Sequence, residues 1–324
     1  MTYGRFLKSR FYMDNFNWLA SRGKSRNSMI DIVSGAGYVA LNSGYTKYQM
    51  FDMNPLNQAS FDSDGGTATV LITIDYGVTA MPTNFIAIMN HNLKSADGKI
   101  RVAHDTSPIV AVSGGTTASL VEVLNGDVSG SYATPAADYD TLLTFASSDD
   151  RYWSIEFIDV ATWDADLLIG NIMLGEYYTM PNSPDMPTTK GTVFDGVNVV
   201  KAFGGRSFGV ANWTAANGGT YTAFRSDTFF RKSPGRETYD LTHSYVNDTD
   251  IYPSDRFRPR DSVNFLNDVI SRSSMELIPF IFTPDSKSTT TGDYMFSRFD
   301  QDSFVTTMPS ANVTIFSARI VQEF

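Results

Sequence analysis

Between Thr67 and Tyr76 the chain runs Thr-Ala-Thr-Val-Leu-Ile-Thr-Ile-Asp-Tyr, which puts Val70, Ile72 and Ile74 on one face of an extended strand and Thr67, Thr69, Leu71 and Thr73 on the other. One face is core. The same period recurs at Trp153, Ile155 and Phe157, and Leu167, Leu168 and Ile169 lead into Gly170. Strands are predicted over 38–41, 67–76, 84–90, 100–104, 119–124, 140–145, 152–159 and 166–174. Between them lie the turns Asp64-Gly65-Gly66, Ala96-Asp97-Gly98, Ser113-Gly114-Gly115 and Asn125-Gly126. Strands spaced about ten residues apart suit a β-sandwich or a jelly roll.

Residues 85–103 form a hairpin with a polar lip. An apolar strand ends in Asn90-His91-Asn92, turns through Ala96-Asp97-Gly98 and returns as an alternating strand. The run His91-Asn92-Leu93, Gly98 and Ile100-Arg101-Val102 is followed by YWSIEF over 152–157 and LIGNIMLG over 168–175. Together these resemble the galactose-binding, discoidin-like jelly roll of tailed-phage virion proteins. The resemblance covers about the first 180 residues and implies that fold.

Met180–Lys190, MPNSPDMPTTK, carries three prolines and no apolar period, so it is predicted to be a linker or an extended crossover. Beyond it a second β-rich unit is expected. Val193–Phe203 and Arg206–Trp213 flank a turn at Gly204-Gly205, and Asn217-Gly218-Gly219 leads into Tyr221–Phe230. One segment breaks the pattern. Val263, Leu266, Val269 and Ile270 mark the apolar stripe of a helix over 262–272, with Ser262 as N-cap, Pro259 before it and Arg272 in its last turn. A proline-flanked apolar strand over 277–285 and a terminal strand over 312–324 close the chain. This order resembles the tail-tube and distal-tail building blocks of phages, a β-sandwich flanked by one helix.

The fold expected is mainly β, with two β-sandwich domains: an N-terminal jelly roll, and a C-terminal β-sandwich with one flanking α-helix. The boundaries are an arm over 1–24, the jelly roll over 25–180, a linker over 181–190 and the second sandwich over 191–324. A chain of 324 residues is comfortable for two such domains. It has no cysteine, which removes disulfides, thiolate metal sites and cysteine nucleophiles. A net charge of −10 repels phosphates, so no nucleic-acid partner is expected. No run approaches the ~18 apolar residues of a membrane span, and the N-terminus lacks a signal-peptide core. No membrane partner is expected, and synthesis is expected in the cytoplasm of the producing host.

Candidate chemistry is sparse. His91 and His104 flank one hairpin, yet a zinc site needs three or four ligands and no HExxH or HxH spacing accompanies them. Asn90, His91 and Asn92 either contact a ligand or cap a strand end by bonding turn backbone. The acidic pairs Asp62/Asp64, Asp149-Asp150 and Asp164/Asp166 read as solvated turn residues rather than glycosidase carboxylates, and Asp62-Ser63-Asp64-Gly65 offers alternate oxygens to a calcium ion. No GxSxG elbow, P-loop or GxGxxG is present, and no cofactor, metal or catalytic residue is assigned. Trp163, Tyr177 and Tyr178 border expected loops, where an aromatic ring could stack on a sugar or on a neighbouring subunit. In the arm, Phe6, Phe11, Tyr12, Phe16 and Trp18 are too apolar to stay in water and could lie across an adjacent copy.

The resemblances imply a non-enzymatic structural protein of a tailed-phage virion, a distal or minor tail protein. Its partners would be copies of itself packed in a ring and other tail proteins. The alternative is a carbohydrate-binding module that attaches to host surface glycans. A third reading is a glycan-degrading enzyme.

Overall fold

The computed structural model describes residues 8–77, 81–159, 161–186, 188–193, 197–205, 207–211, 236–253 and 263–323. The chain is mainly β, in large antiparallel sheets with few helices. Its contacts gather into two compact units, one built on Phe11–Tyr178 and the other on Thr179–Lys287 and Tyr294–Phe324.

Chain order in the first unit is β1 (Arg10–Asp14), helix α1 (Asn15–Ser21), β2 (Ile30–Ile32), β3 (Ala59–Phe61), β4 (Val70–Asp75), β5 (Thr83–His91), β6 (Gly98–Asp105), β7 (Thr116–Thr117) and β8 (Val121–Leu124). It continues with β9 (Asp127–Ser129), β10 (Tyr132–Thr134), β11 (Tyr139–Ser148), β12 (Tyr152–Asp159), β13 (Leu167–Ile169) and β14 (Asn171–Thr179). One sheet runs β1-β14-β5-β11-β8 and the other β2-β4-β12-β6-β10-β9. Val70, Ile72, Ile74, Trp153, Ile155 and Phe157 project from the second sheet into a shared core with Ile86, Ile88, Leu143, Ile172 and Leu174 from the first. This is a β-sandwich whose inward faces follow the period of two. Leu71 lies on the outward face of β4 yet is also buried. The strand expected over 38–41 is replaced by isolated bridges from Tyr38 to Thr69 and Leu41 to Phe61. The run expected over 166–174 breaks at Gly170 into β13, which pairs with β3, and β14.

The expected arm is corrected by β1 and α1. Phe11, Tyr12 and Phe16 are fully buried in their own chain, with Tyr12 edge-on to Phe85 at 5.1 Å and Phe16 4.6 Å from Phe51. Trp18 packs partly buried on the same core. Tyr12, Phe16 and Trp18, expected against a neighbouring copy, pack in the sandwich of their own chain instead. Asp14 caps α1, accepting from the Phe16 and Asn17 backbone N–H groups at 3.0 and 3.3 Å. Burial pushes its carboxyl up to about 6 against the pull of the Asn17 side-chain and backbone hydrogen bonds. Phe6 lies outside the described residues.

The second unit contains β15 (Thr189–Val193), a hairpin of β16 (Val197–Lys201) and β17 (Ser207–Ala211), β18 (Arg236–Asn247), β19 (Phe280–Thr283), β20 (Met295–Phe299), β21 (Thr306–Ser310) and β22 (Val313–Gln322). Its sheet runs β15-β18-β22-β20-β19, with β21 also on β22. The expected linker is tied down at Asp185, whose N–H donates to the Thr242 carbonyl at 2.7 Å and whose carboxylate accepts from the Ser244 N–H and hydroxyl.

The flanking helix differs from its prediction. Helix spans Leu266–Ile270 and Ser271–Ser273, and the first part is π-helical, with the Ser271 N–H bonded to the Leu266 carbonyl five residues back. The wider turn puts Phe265, Val269, Ile270 and Ser273 inside and leaves Leu266 half-buried. Val263, expected inside, is 73% exposed, and Asn264, a polar residue outside the predicted stripe, is buried. Phe265 packs 4.9 Å from Phe316 on β22. The strand expected over 206–213 appears as β17, whereas its ends at 206 and 212–213, the expected cap Ser262, Pro259, the Asn217-Gly218-Gly219 turn and the strand over 221–230 lie outside the described residues.

Candidate functional site

Alternation on the second sheet of the sandwich dictates what its outer face presents. With Val70, Ile72, Ile74, Trp153, Ile155 and Phe157 turned inward, Thr73, Asp75, Tyr152, Ser154 and Glu156 must turn outward. Register then gathers them. Thr73 lies between Asp31 on β2 and Ser154 on β12, and Tyr152 lies opposite Asp75. The segment between β6 and β7 crosses this face, and its Pro108, Ile109 and Val110 form a wall. Against the β2 side, they bound a groove of about 540 Å³ floored by Thr73, Asp75 and Tyr152.

Buried polar contacts anchor the crossing segment. Glu156 accepts from the Arg101 guanidinium at 2.6 Å and from the Ser113 N–H at 2.8 Å, and Arg101 also donates to the Thr117 hydroxyl. Burial raises the Glu156 carboxyl, against the pull of Arg101 and the Ser113 N–H. The tight turn at Gly115, φ +71°, sits where a Cβ would fall 2.9 Å from Ile109 Cδ1 and 3.0 Å from the His104 carbonyl, so the wall residue packs into space that only glycine leaves. Ser154 Oγ and Glu156 Oε2 are buried with no hydrogen-bond partner among the described residues.

Charge in the groove is unevenly settled. Arg151 holds Asp75 in a bidentate pair, Nε to Oδ1 at 2.6 Å and a terminal nitrogen to Oδ2 at 2.7 Å, and the Gly77 N–H adds a bond at 2.6 Å. Partial burial opposes ionisation of Asp75, but these bonds and the cations of Arg151 and Lys24 outweigh it and hold the carboxyl below its usual range. The same guanidinium lies 4.8 Å from the centre of the Tyr152 ring, a cation–π distance that fixes the ring at the groove floor.

The residues that the sequence singled out lie elsewhere. Asn90, His91 and Asn92 organise the strand end. Asn90 donates to the Pro55 carbonyl, and Asn92 exchanges bonds with the Leu168 N–H and the Asp166 carbonyl. The Leu93 N–H donates to His91 Nδ1, so Nε2 carries the proton and donates to Thr141 Oγ1 at 2.9 Å. Burial drives the His91 pKa down to about 3, which matches this neutral ring. Trp163 is corrected from a loop platform to a core plug. It is fully buried, donates to the Ala68 carbonyl at 2.8 Å, and occupies the space beside Gly98 where a Cβ would meet its ring at 2.8 Å. Tyr178 is buried too, and half-buried Tyr177 packs 5.7 Å from Tyr12, so the three make no shared exposed surface.

His104, Asp150 and Ser148 come together without any warning in the sequence. Asp150 Oδ2 and Ser148 Oγ both approach His104 Nδ1, at 2.5 and 3.1 Å. A relay needs acid and nucleophile on opposite ring nitrogens, so this set cannot pass a proton from serine through histidine to aspartate. In the acidic loop, Asp166 accepts the Ser63 and Asp64 N–H groups at 3.0 and 3.1 Å and an Asn42 amide bond at 2.9 Å. No group of three or more His, Asp or Glu that could hold a metal ion occurs among the described residues.

No protein-family model matches the chain, and no characterised protein matches it in sequence. Among solved structures it is similar to chitosan-binding module 1 of a chitosanase/glucanase from Paenibacillus sp. IK-5, at 13% identity over 45% of this chain and 93% of that one, TM-score 0.30. A module called CBM32-1, from a family 31 glycoside hydrolase of Clostridium perfringens, is 12% identical over 45% of this chain and 94% of its own, TM-score 0.30. A pectin-binding carbohydrate-binding module is 14% identical over 44% and 93%, TM-score 0.28. Likenesses this slight leave any functional reading to rest on the groove itself.

Proposed function

We propose that the Phe11–Tyr178 unit is a carbohydrate-binding module whose binding face is the groove on β2, β4 and β12. The observation that carries this is the groove's lining. One half-buried aromatic ring, Tyr152, lies between side chains rich in oxygen, Thr73, Asp75 and Asp31, against an aliphatic wall at Ile109 and Val110. A sugar presents an apolar C–H face and a rim of hydroxyls, which suits a ring beside acceptors. Volume supports the match, because small-molecule sites run to roughly 300–1,000 Å³. Binding here is by packing and hydrogen bonding, and no bond-breaking step is assigned to it.

Titration of the full chain with neutral oligosaccharides tests the reading. Saturable binding in the millimolar range or tighter is expected, with Tyr152→Ala weakening it about tenfold or more while the sandwich stays folded. Absence of saturable binding for every oligosaccharide tried, or full binding by Tyr152→Ala, would remove the groove from consideration.

A second reading is assembly with further copies of the chain, as in the tail of a virion. What favours it is the concentration of exposed apolar side chains in the second unit: Tyr245 on β18, Met308 on β21 and Val305 just before it. Sedimentation of the full chain over a range of concentrations tests it, and a monomer throughout would count against it.

A further inference from the structure

We infer that the groove selects sugars that carry a protonated amine over sugars that carry a carboxylate, with Asp31 as the selecting residue. This rests on the carbohydrate reading above. The argument is a charge inventory. Asp75 is saturated by Arg151 and the Gly77 N–H, and Arg151 is consumed in the same pair, so neither offers net charge to a ligand. Asp31 is different. It stands exposed on β2 beside Thr73, and no hydrogen bond or ion pair engages its carboxylate among the described residues. Among the described residues, no lysine, arginine or histidine lines the groove. Two lysines stand near the groove but outside its lining, each with its ammonium held on main-chain oxygen: Lys47 donates to the Ile30 carbonyl at 2.6 Å and Lys24 to the Gly77 carbonyl at 3.2 Å.

A bound ligand therefore meets one unopposed negative charge and no free cation. A uronic-acid ring would place like charge against Asp31 with no donor to receive it. An ammonium would gain a partner, and a neutral ring would do neither. Specificity by repulsion of the wrong ligand needs only this asymmetry. The chain's net charge of −10 acts in the same direction by disfavouring the approach of polyanionic glycans. An exposed carboxylate–ammonium pair supports a preference of about two- to fivefold, and salt screens it.

Binding of three oligosaccharides of equal length to the full chain, at a pH where the amine is protonated, tests this: oligo-glucosamine, oligo-N-acetylglucosamine and oligo-galacturonate. The expected order at low salt is amine, then neutral, then acid, in steps of about two- to fivefold that shrink at high salt. Asp31→Asn should bring the amine to the affinity of the neutral oligomer and leave the neutral oligomer within about twofold of its original value. Equal affinity for all three, or an amine preference untouched by Asp31→Asn, overturns the inference while neutral binding keeps the carbohydrate reading standing. Failure of all three to bind overturns both.

Discussion

In the unit built on Phe11–Tyr178, Trp153, Trp163, Phe61 and Phe157 all lie fully buried, and one face of the second sheet is closed again from outside by the segment that Glu156 and Arg101 anchor. The unit that begins at Thr179 has a core of linked rings, with Phe265 4.9 Å from Phe316 and 5.6 Å from Phe304, and Phe280 4.7 Å from Phe299. Yet it leaves Tyr245, Val305 and Met308 79, 68 and 56% exposed. Both obey the same strand alternation. The difference lies in what covers the outward faces. Covering a sheet with a fixed segment creates a walled groove, whereas leaving it open leaves side chains that can only meet another surface.

The largest effects should show that the two cores are equals beneath these different surfaces. Trp153→Ala and Phe265→Ala each remove a fully buried ring, and each should cost about 3–5 kcal/mol in a denaturant titration of the full chain, with hydrogen exchange assigning the loss to its own unit. Were Phe265→Ala to cost less than about 1 kcal/mol while Trp153→Ala cost the full amount, the second unit would lack a packed core. The contrast between covered and open surfaces would then dissolve into one between folded and loose.

Strand alternation was the legible part of this molecule. Tyr152–Asp159 was placed residue for residue, and Val70, Ile72 and Ile74 point inward as their spacing demands, because a period of two needs no tertiary information. The groove was not legible. Thr73 could be assigned to the outward face, but its meeting with Asp31 and Tyr152, 42 and 79 positions away, depends on strand order. Arg151 and Asp75, 76 residues apart, carry no local sign of pairing. Trp163 misled for a physical reason: a loop aromatic looks the same in sequence whether it faces solvent or plugs the end of a sandwich. The helix misled for another, since a π-turn changes which positions share a face and leaves no mark in the pattern that a 3.6-residue period reads.

Acid should separate the units by a smaller amount. Burial holds His243, stacked on Phe316, down at about 4 despite the charge of Asp185, and holds His91 down at about 3 despite Asp138. Both rings stay neutral in the fold but take a proton when unfolded below about 6.5, so the stability present above that pH falls as pH drops, at about 1.4 kcal/mol per pH unit per histidine. In the first unit Asp14 opposes this. Its carboxyl, raised to about 6 by burial, holds a proton in the fold that the unfolded chain releases above about 3.8, so acidification from 6 towards 4 restores what His91 loses. Glu156 and Asp52, also raised by burial, add to that side. In the second unit Asp268, raised by burial against the pull of Arg272, is the one carboxyl among the described residues set against His243 in this way. Hydrogen exchange at pH 7 and pH 5, corrected for intrinsic rates, should therefore show protection falling in peptides of β18 and β22 and nearly constant in peptides of β5 and β12. Equal loss in both would break the distinction.

The smallest stability effects belong to the open surface, and their smallness is the test. Tyr245 and Met308 touch too little of their own unit to hold it together, so Tyr245→Ser and Met308→Ser should each change unfolding free energy by no more than about 0.5 kcal/mol. Burial against a second surface would follow a different rule. A side chain that loses its remaining exposure on association contributes roughly 25 cal/mol for each Å² of apolar area covered, and removing it weakens the complex without touching the fold. Substituting both residues should then leave the denaturation midpoint of the second unit in place and shift any concentration-dependent sedimentation towards the monomer. A fall in stability of 2 kcal/mol or more would show instead that these side chains are part of a core, and the second unit would resemble the first in hiding what it holds.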